Sequence, residues 1–368
     1  MKGKPKIEYS NQMKIVYLIL FYVSLFTLSA QKSNTTDKII KDSLDGEFIM
    51  DYKKRFNVKL ELSNDISTYS FVENGFDVEL KPNLNLRYAV VFSYKFLSVR
   101  LGIRPKISEE NIKKKGDSDT FRLRLLLLFD KWNHLIEYKI DKGFYLVNTQ
   151  DFIDQESDIR IQFPELSSHV LFGSSSYKFN KNYSLRAIQS QTEVQMSSAG
   201  SFMPGISYNF YKFSGTNVIK NIDGDKEFRD YYNEYSGASL SLLLGYYYTF
   251  VLKKHWYVNA FAIPTIGFDF YTTKIYGPDE STSRRFNDDY LALNYGVGSG
   301  YNGEKIFFGA EFKNRFTNEK FSSSKVSIIP KNTEFKIFFG YRFKAPKTVR
   351  KPVDYIEKKV PILKDENH

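Results

Sequence analysis

The segment TEFKIFFGYRF (333–343) alternates with period two. Phe335, Ile337, Phe339, Tyr341 and Phe343 are large and apolar or aromatic, and Glu334, Lys336, Phe338, Gly340 and Arg342 stand between them. Side chains on a strand point alternately to opposite faces, so this pattern specifies a β-strand with two unlike sides. The pattern recurs along the chain. RFNVKLEL (55–62) sets Phe56, Val58, Leu60 and Leu62 against Asn57, Lys59 and Glu61. NLNLRYAVVFS, LSVRLGIR and TFRLRLLLLF repeat it around Arg87, Arg100, Arg104, Arg122 and Arg124. SLSLLLGYYYTF, HWYVNAFAIPTIGFDF, DYLALNYGVGSGY and KIFFGAEFKNRF follow.

The apolar face meets either a protein core or lipid. Aromatic residues make up 17% of the chain, hydrophobic residues 42%, and the mean hydropathy is −0.41. A helical membrane protein needs long unbroken apolar runs, whereas a membrane strand dilutes each apolar residue with a polar one. The polar faces here carry Arg, Lys, Glu and Gly, which suits a barrel lumen, where charges pair and glycine makes room. Connectors alternate in length. DK (130–131), KN (181–182), LKKH (252–255) and NGE (302–304) are short, while 105–118, 141–166, 272–288 and 317–332 are long. Short turns on one side and long loops on the other are the habit of outer-membrane barrels.

The expected fold is therefore all-β: an antiparallel transmembrane β-barrel of about 12–14 strands over 55–343. Thirteen segments qualify, 182–192 among them, and such barrels have an even number. A fourteenth strand is expected near 214–236, around NVIKNI; the count is twelve if one of the thirteen lies outside the wall. Segment 333–343 is the expected closing strand, with Phe343 as the aromatic end that barrel assembly machinery reads.

The other boundaries come from the ends. MKIVYLILFYVSLFTLSAQ starts at Met13 with a lysine, runs apolar and reaches a small-residue site at Ser29–Ala30. These are the parts of a secretory signal peptide over 1–30, with Met13 an alternative start. A periplasmic lead at 31–54 and a polar periplasmic tail at 344–368 are expected; Val353, Tyr355 and Ile356 leave docking of the tail to a periplasmic partner open. The formal charge is +11 and there is no cysteine. The basic residues are dispersed rather than clustered with aromatics, which argues against nucleic acid. Without cysteine there are no disulfides or thiolate metal sites.

Some stretches are more specific than periodicity. YSLRAIQSQTEVQMSSAGSFMPGISYNFY (183–211), WNHLIEYKIDKGFYL (132–146), PNLNLRYAVVFSYKFLSVRLG (82–102) and LGYYYTFVLKKHWYV (244–258) resemble a Bacteroidetes domain-of-unknown-function family, number 4421. The resemblance implies an envelope protein of outer-membrane barrel type and no particular activity.

Candidate chemistry is sparse. The histidines are His134, His169, His255 and His368. Ser167 and Ser168 adjoin His169, but strand neighbours point to opposite faces, which argues against a dyad. GxSxG and EF-hand loops are missing. Asp223, Asp225 and Glu227 read as a surface turn, and SSAGSF (197–202) as a tight hairpin. No catalytic, cofactor or metal residue is assigned. The reading is a non-enzymatic outer-membrane barrel, whether channel, receptor or scaffold. An outer-membrane lipid or lipopolysaccharide hydrolase is the alternative, and a soluble secreted β-sandwich the third. Strand parity gives the lumen-lining set: Arg87, Arg100, Arg104, Arg122, Arg124, Glu137, Lys139, Arg186, Glu311, Lys313, Lys336 and Arg342. Lys59, Glu61, Asp269 and Glu334 join them on the same face, and the balance is positive. The expected partners are outer-membrane lipids, lipopolysaccharide and the assembly machinery.

Overall fold

A computed structural model describes residues 48–64, 68–73, 76–151, 158–220, 227–253, 255–276, 281–318 and 333–359. The expected signal peptide, residues 31–47 of the expected lead, Asp223, Asp225 and His368 lie outside the described residues.

The chain begins with β1 (Ile49–Asp51) and β2 (Arg55–Ser63), then a hairpin of β3 (Tyr69–Glu73) and β4 (Phe76–Lys81). β5 (Arg87–Tyr94) and β6 (Leu97–Ile103) lead to a short helix, α1 (Glu109–Lys115). The Ser108 hydroxyl accepts from the Asn111 amide at the start of α1, and acids fill its first turn and lysines its last, as capping and the helix dipole favour. β7 (Asp119–Leu128), β8 (Trp132–Leu146) and β9 (Gln162–Tyr177) follow, and then α2 (Arg186–Gln189) and β10 (Glu193–Gln195). The second half is β11 (Ala199–Lys220), β12 (Glu227–Lys253), β13 (Trp256–Tyr276), β14 (Ser281–Asn302), β15 (Ile306–Asn318) and β16 (Thr333–Lys344), and ends with α3 (Lys347–Lys359).

Twelve strands close into one antiparallel ring: β2, β5 to β9, and β11 to β16. β16 pairs with β2 and β8 with β9, so no wall strand is left with an open edge, the arrangement a lipid-facing sheet requires. Segment 333–343 is the closing strand. The β3–β4 hairpin attaches at the top of β8 through Leu80 and Lys81. Two sequence expectations are corrected. Residues 182–192 are no wall strand; they turn inward, because the side chains of Tyr183, Leu185 and Arg186 are all satisfied inside the barrel. No separate fourteenth strand stands near 214–236, because β11 and β12 run through that region paired from Ala199↔Thr249 to Lys220↔Glu227.

The two faces are inverted relative to a soluble protein. Leu60, Ile206, Leu240, Phe268, Val297 and Phe339 are exposed, whereas Lys59, Arg87, Arg100, Arg122, Lys139 and Lys336 are buried inside. Apolar side chains out and charges in is the pattern of a wall in lipid. The outward face carries an aromatic belt near the short turns. Trp132 contacts Tyr177 and Tyr177 contacts Phe179, while Trp256 contacts Tyr301 and Phe308. The ring is uneven: β12 has 27 residues and β6 has 7.

Beyond the wall, β1 pairs with β10, so the described part of the expected lead is a strand. α3 packs Val353 against Tyr94 and Phe96, giving the expected polar tail a docked helix.

Candidate functional site

Between β9 and β11 the chain folds back into the short-turn end of the barrel and forms a plug. It consists of residues 178–198 with β1 laid against β10. Its centre is a buried ion pair: Arg186 Nη1 donates to Glu193 Oε1 at 2.9 Å and to Asp130 Oδ1 at 2.9 Å, and Arg186 Nε to the Leu128 carbonyl at 2.7 Å. The Ser184 hydroxyl donates to the other Glu193 oxygen at 2.5 Å. Burial works to raise the Glu193 carboxyl, but Arg186 and Lys53 outweigh it and hold the group below the usual carboxylate range. A charge taken this far from water is tolerable only with such full pairing. Above this pair Tyr183 and Leu185 pack on Leu128, Ala199 and Met203, with Tyr247 beside them.

The wall grips the plug through its backbone carbonyls. Asn57 of β2 donates to the Ser190 and Gln191 carbonyls at 2.9 and 2.8 Å, and Lys59 to Gln189 at 3.0 Å. Asn302 of β14 donates to the Ala187 and Glu193 carbonyls, each at 3.0 Å. Arg342 of β16 donates to the Gln191 carbonyl through Nη2 at 2.6 Å and also reaches Gly303 and Asn302. Gln191 is fully buried with φ +53, a left-handed conformation that a non-glycine residue adopts only when its surroundings hold it.

Above the plug the charges form a belt along β2, β5 to β8, β15 and β16. Glu61 takes Lys59 at 3.1 Å and Arg100 at 2.6 Å, with Lys336 at 3.8 Å. Glu311 takes Lys313 and Lys336, each at 2.9 Å. Glu137 takes Arg124 at 2.5 Å and Arg122 at 3.6 Å. Asp141 takes Arg87 at 3.1 Å and Lys139 at 3.4 Å, and accepts from the Thr120 hydroxyl at 2.6 Å. In these pairs eight cations (Lys59, Arg87, Arg100, Arg122, Arg124, Lys139, Lys313 and Lys336) share four carboxylates.

The far wall is of another kind. β9 and β11 to β13 present Ser174, Ser207, Ser239, Ser241 and Thr265, with Tyr211 donating to Asp269 at 3.0 Å. Between the two walls lies a cavity of about 400 Å³, bounded below by Met203 and Tyr247 and reaching Arg122, Lys139 and Arg315. Near the long loops Tyr69 of β3 enters the barrel, packed on Phe144 and Phe213, with the Lys139 ammonium 5.2 Å from its ring centroid.

Most of the parity-assigned residues meet in this belt, but three do not. Arg104 follows the end of β6 and pairs with Asp117 and Asp119 at the rim, exposed, because the strand stops at Ile103. Arg186 sits in the plug rather than on the wall. Arg342 belongs to the plug contacts rather than to the belt. Asp141 was not among the expected acids, since 141–166 read as a loop, yet β8 continues to Leu146. Its parity then changes at Gly143, whose φ of +79 and close approach to the Asp117 carbonyl leave no room for a side chain. SSAGSF is the entry to β11 rather than a hairpin.

Of the histidines, His134 places Nδ1 at 2.8 Å from Ser175 Oγ on the outward face, and His169 Nδ1 is 3.2 Å from the Tyr138 hydroxyl. No carboxylate hydrogen-bonds His134 among the described residues.

The family described as Domain of unknown function (DUF4421) matches residues 42–343. No curated protein sequence matches the chain. Among solved structures, the outer membrane protease OmpT of Escherichia coli is 9% identical, with 79% of this chain and 95% of that one covered and a TM-score of 0.33. The beta domain of the Bordetella autotransporter BrkA is 10% identical over 79% and 99%, with a TM-score of 0.34. The attachment invasion locus protein Ail of Yersinia pestis is 9% identical over 79% and 99%, at 0.19.

Proposed function

Because the chain belongs to the DUF4421 family, whose match spans the whole barrel wall, we propose that it works as an outer-membrane barrel kept shut on the periplasmic side. Its cavity then serves as a receptor site open to ligands from outside. The observation that carries this reading is the grip of Asn57, Lys59, Asn302 and Arg342 on five plug carbonyls between Ala187 and Glu193. A plug held by neutral and charged donors from three wall strands is not a gate resting loosely in a pore, since each charged hydrogen bond contributes about 1.5–3 kcal/mol.

The ligand chemistry follows from the two walls. A cationic side facing a row of hydroxyls favours a small molecule with an acidic group and several hydroxyl groups, and the field across the cavity orients it. Neutral solutes gain nothing from the cationic side.

Planar bilayer recording tests the closed state. The intact protein should give no conductance steps. Replacing 184–195 with a Gly/Ser linker of equal length should give steps selective for anions. Steps from the intact protein, or cation selectivity from the variant, would overturn the reading.

A second reading has one observation of its own. The His134–Ser175 contact gives a lipid hydrolase the start of a nucleophile and base on the lipid-facing wall. Ser175→Ala should leave the lipid profile of expressing cells unchanged; a changed profile would favour the hydrolase.

A further inference from the structure

The helix α3 docks on the outside of the wall. Val353 is buried against Tyr94 and Phe96, with Phe56, Leu97 and Leu127 around it. Tyr94 has the outward parity of Tyr88 on β5. Tyr88 is 47% exposed and Tyr94 only 4%, because the helix lies over it. α3 therefore sits where the lipid-facing surface of β5 to β7 ends, at the level of the aromatic belt.

A second contact sets its rotation. Lys95, at the tip of the β5–β6 turn, holds Asp354 at 2.7 Å and Glu357 at 2.5 Å. Successive helical residues turn by about 100°. This places the acids on one flank of the docked stripe Val349–Val353, and Pro352, Tyr355 and Ile356 on the other flank. The acidic flank is pinned to the turn tip, so the opposite flank is directed back along the wall toward the apolar surface. There Tyr355 is 64% exposed and Ile356 44%. Next round the helix come Lys347, Lys351 and Lys358, all exposed, and Lys359 lies over the Tyr355 ring at 5.8 Å. Lys95 holds both acids of the helix, so the charges on the rest of its surface are basic.

We infer that α3 lies in the headgroup layer of the periplasmic leaflet, with Tyr355 and Ile356 at the acyl boundary and the lysines on the phosphates of anionic phospholipids. An exposed apolar stripe bordered by lysines is the form that interfacial helices take. Each basic residue at an anionic surface strengthens binding roughly fivefold. The inference rests on the membrane reading above.

The chain lacks cysteine, so Ile356→Cys accepts a single fluorescent label. The full-length labelled protein is refolded into phosphatidylcholine vesicles that contain acyl-chain nitroxide lipid, with and without phosphatidylglycerol. Its native Trp132 and Trp256, both on the outward wall, report barrel insertion in the same sample. The label should lose emission as strongly as these tryptophans when phosphatidylglycerol is present. The K351Q/K358Q variant should lose that lipid dependence. An unquenched label beside quenched tryptophans would overturn the inference and indicate a face turned to water or to a soluble protein partner. Unquenched tryptophans would overturn the membrane reading, and the inference with it.

Discussion

Asn57 and Arg342 stand directly opposite each other across the β2–β16 pairing, and both donate to the main-chain carbonyl of Gln191. The two strands that close the ring thus share one acceptor in the plug. Arg342→Ala removes the stronger of these donors from a site closed to water and should cost about 1–3 kcal/mol. Asn57→Ala should cost less, because Arg342 still satisfies the acceptor. The temperature at which the folded band converts on a semi-native gel orders the two, and equal shifts would refute the shared-acceptor arrangement.

A charge on the lipid side is expected to be costlier than one inside. Leu125→Arg or Ile337→Asp should destabilise by about 2–4 kcal/mol near the bilayer midplane. Asn294→Asp, facing the cavity, should be milder. Gly296 is a poor control, since a Cβ there would stand 2.6 Å from the Phe312 carbonyl oxygen and 2.7 Å from the Phe261 ring. Urea midpoints in detergent measure the difference, and similar midpoints would mean the facing is wrong.

Asp141 is fully buried and is the carboxylate partner of both Arg87 and Lys139 in the belt. Asp141→Asn leaves two buried cations facing each other across a neutral amide. Breaking a buried pair in this way costs about 3–5 kcal/mol. Asp141→Glu should recover part of the loss, and a neutral outcome for the amide variant would show that water enters the belt.

Plug docking should also depend on pH in one direction. Glu193 is held below its ordinary value of 4.5. A depressed carboxylate contributes stability that is present in full above the unfolded value and fades as pH falls through the folded one. Protease resistance of the plug should therefore be constant from neutral pH to about 4.5 and decline only below it. Glu193→Gln should remove that acid limb. A decline beginning near pH 6 would implicate another group.

The wall was legible because its rule is local. Period-two alternation assigns Arg122, Lys139 and Lys336 to the inside without reference to any partner, and the structure buries all three. The plug was not legible. In YSLRAIQSQTEVQ the spacing of Tyr183, Leu185 and Ala187 mimics a weak strand, and the departure lies in a positive φ at Gln191 that only distant donors sustain. Asp141 was missed through a boundary placed six residues too early on β8, whose end is Leu146. The strand count stayed open between twelve and fourteen because β11 and β12 are longer than a bilayer requires, and their surplus looked like another element.

That surplus makes the rim steeply slanted. At about 3.3 Å per residue and a tilt near 40°, the 27 residues of β12 rise roughly 70 Å, while the apolar band is only about 25 Å tall. β7, with 10 residues, rises only about 25 Å, and β6, with 7, about 18 Å. Set in a bilayer, the tall side would stand well above the headgroups as a screen, and the low side would lie level with them. The cationic strands would then form the low lip of the barrel and the hydroxyl-bearing strands its high back wall.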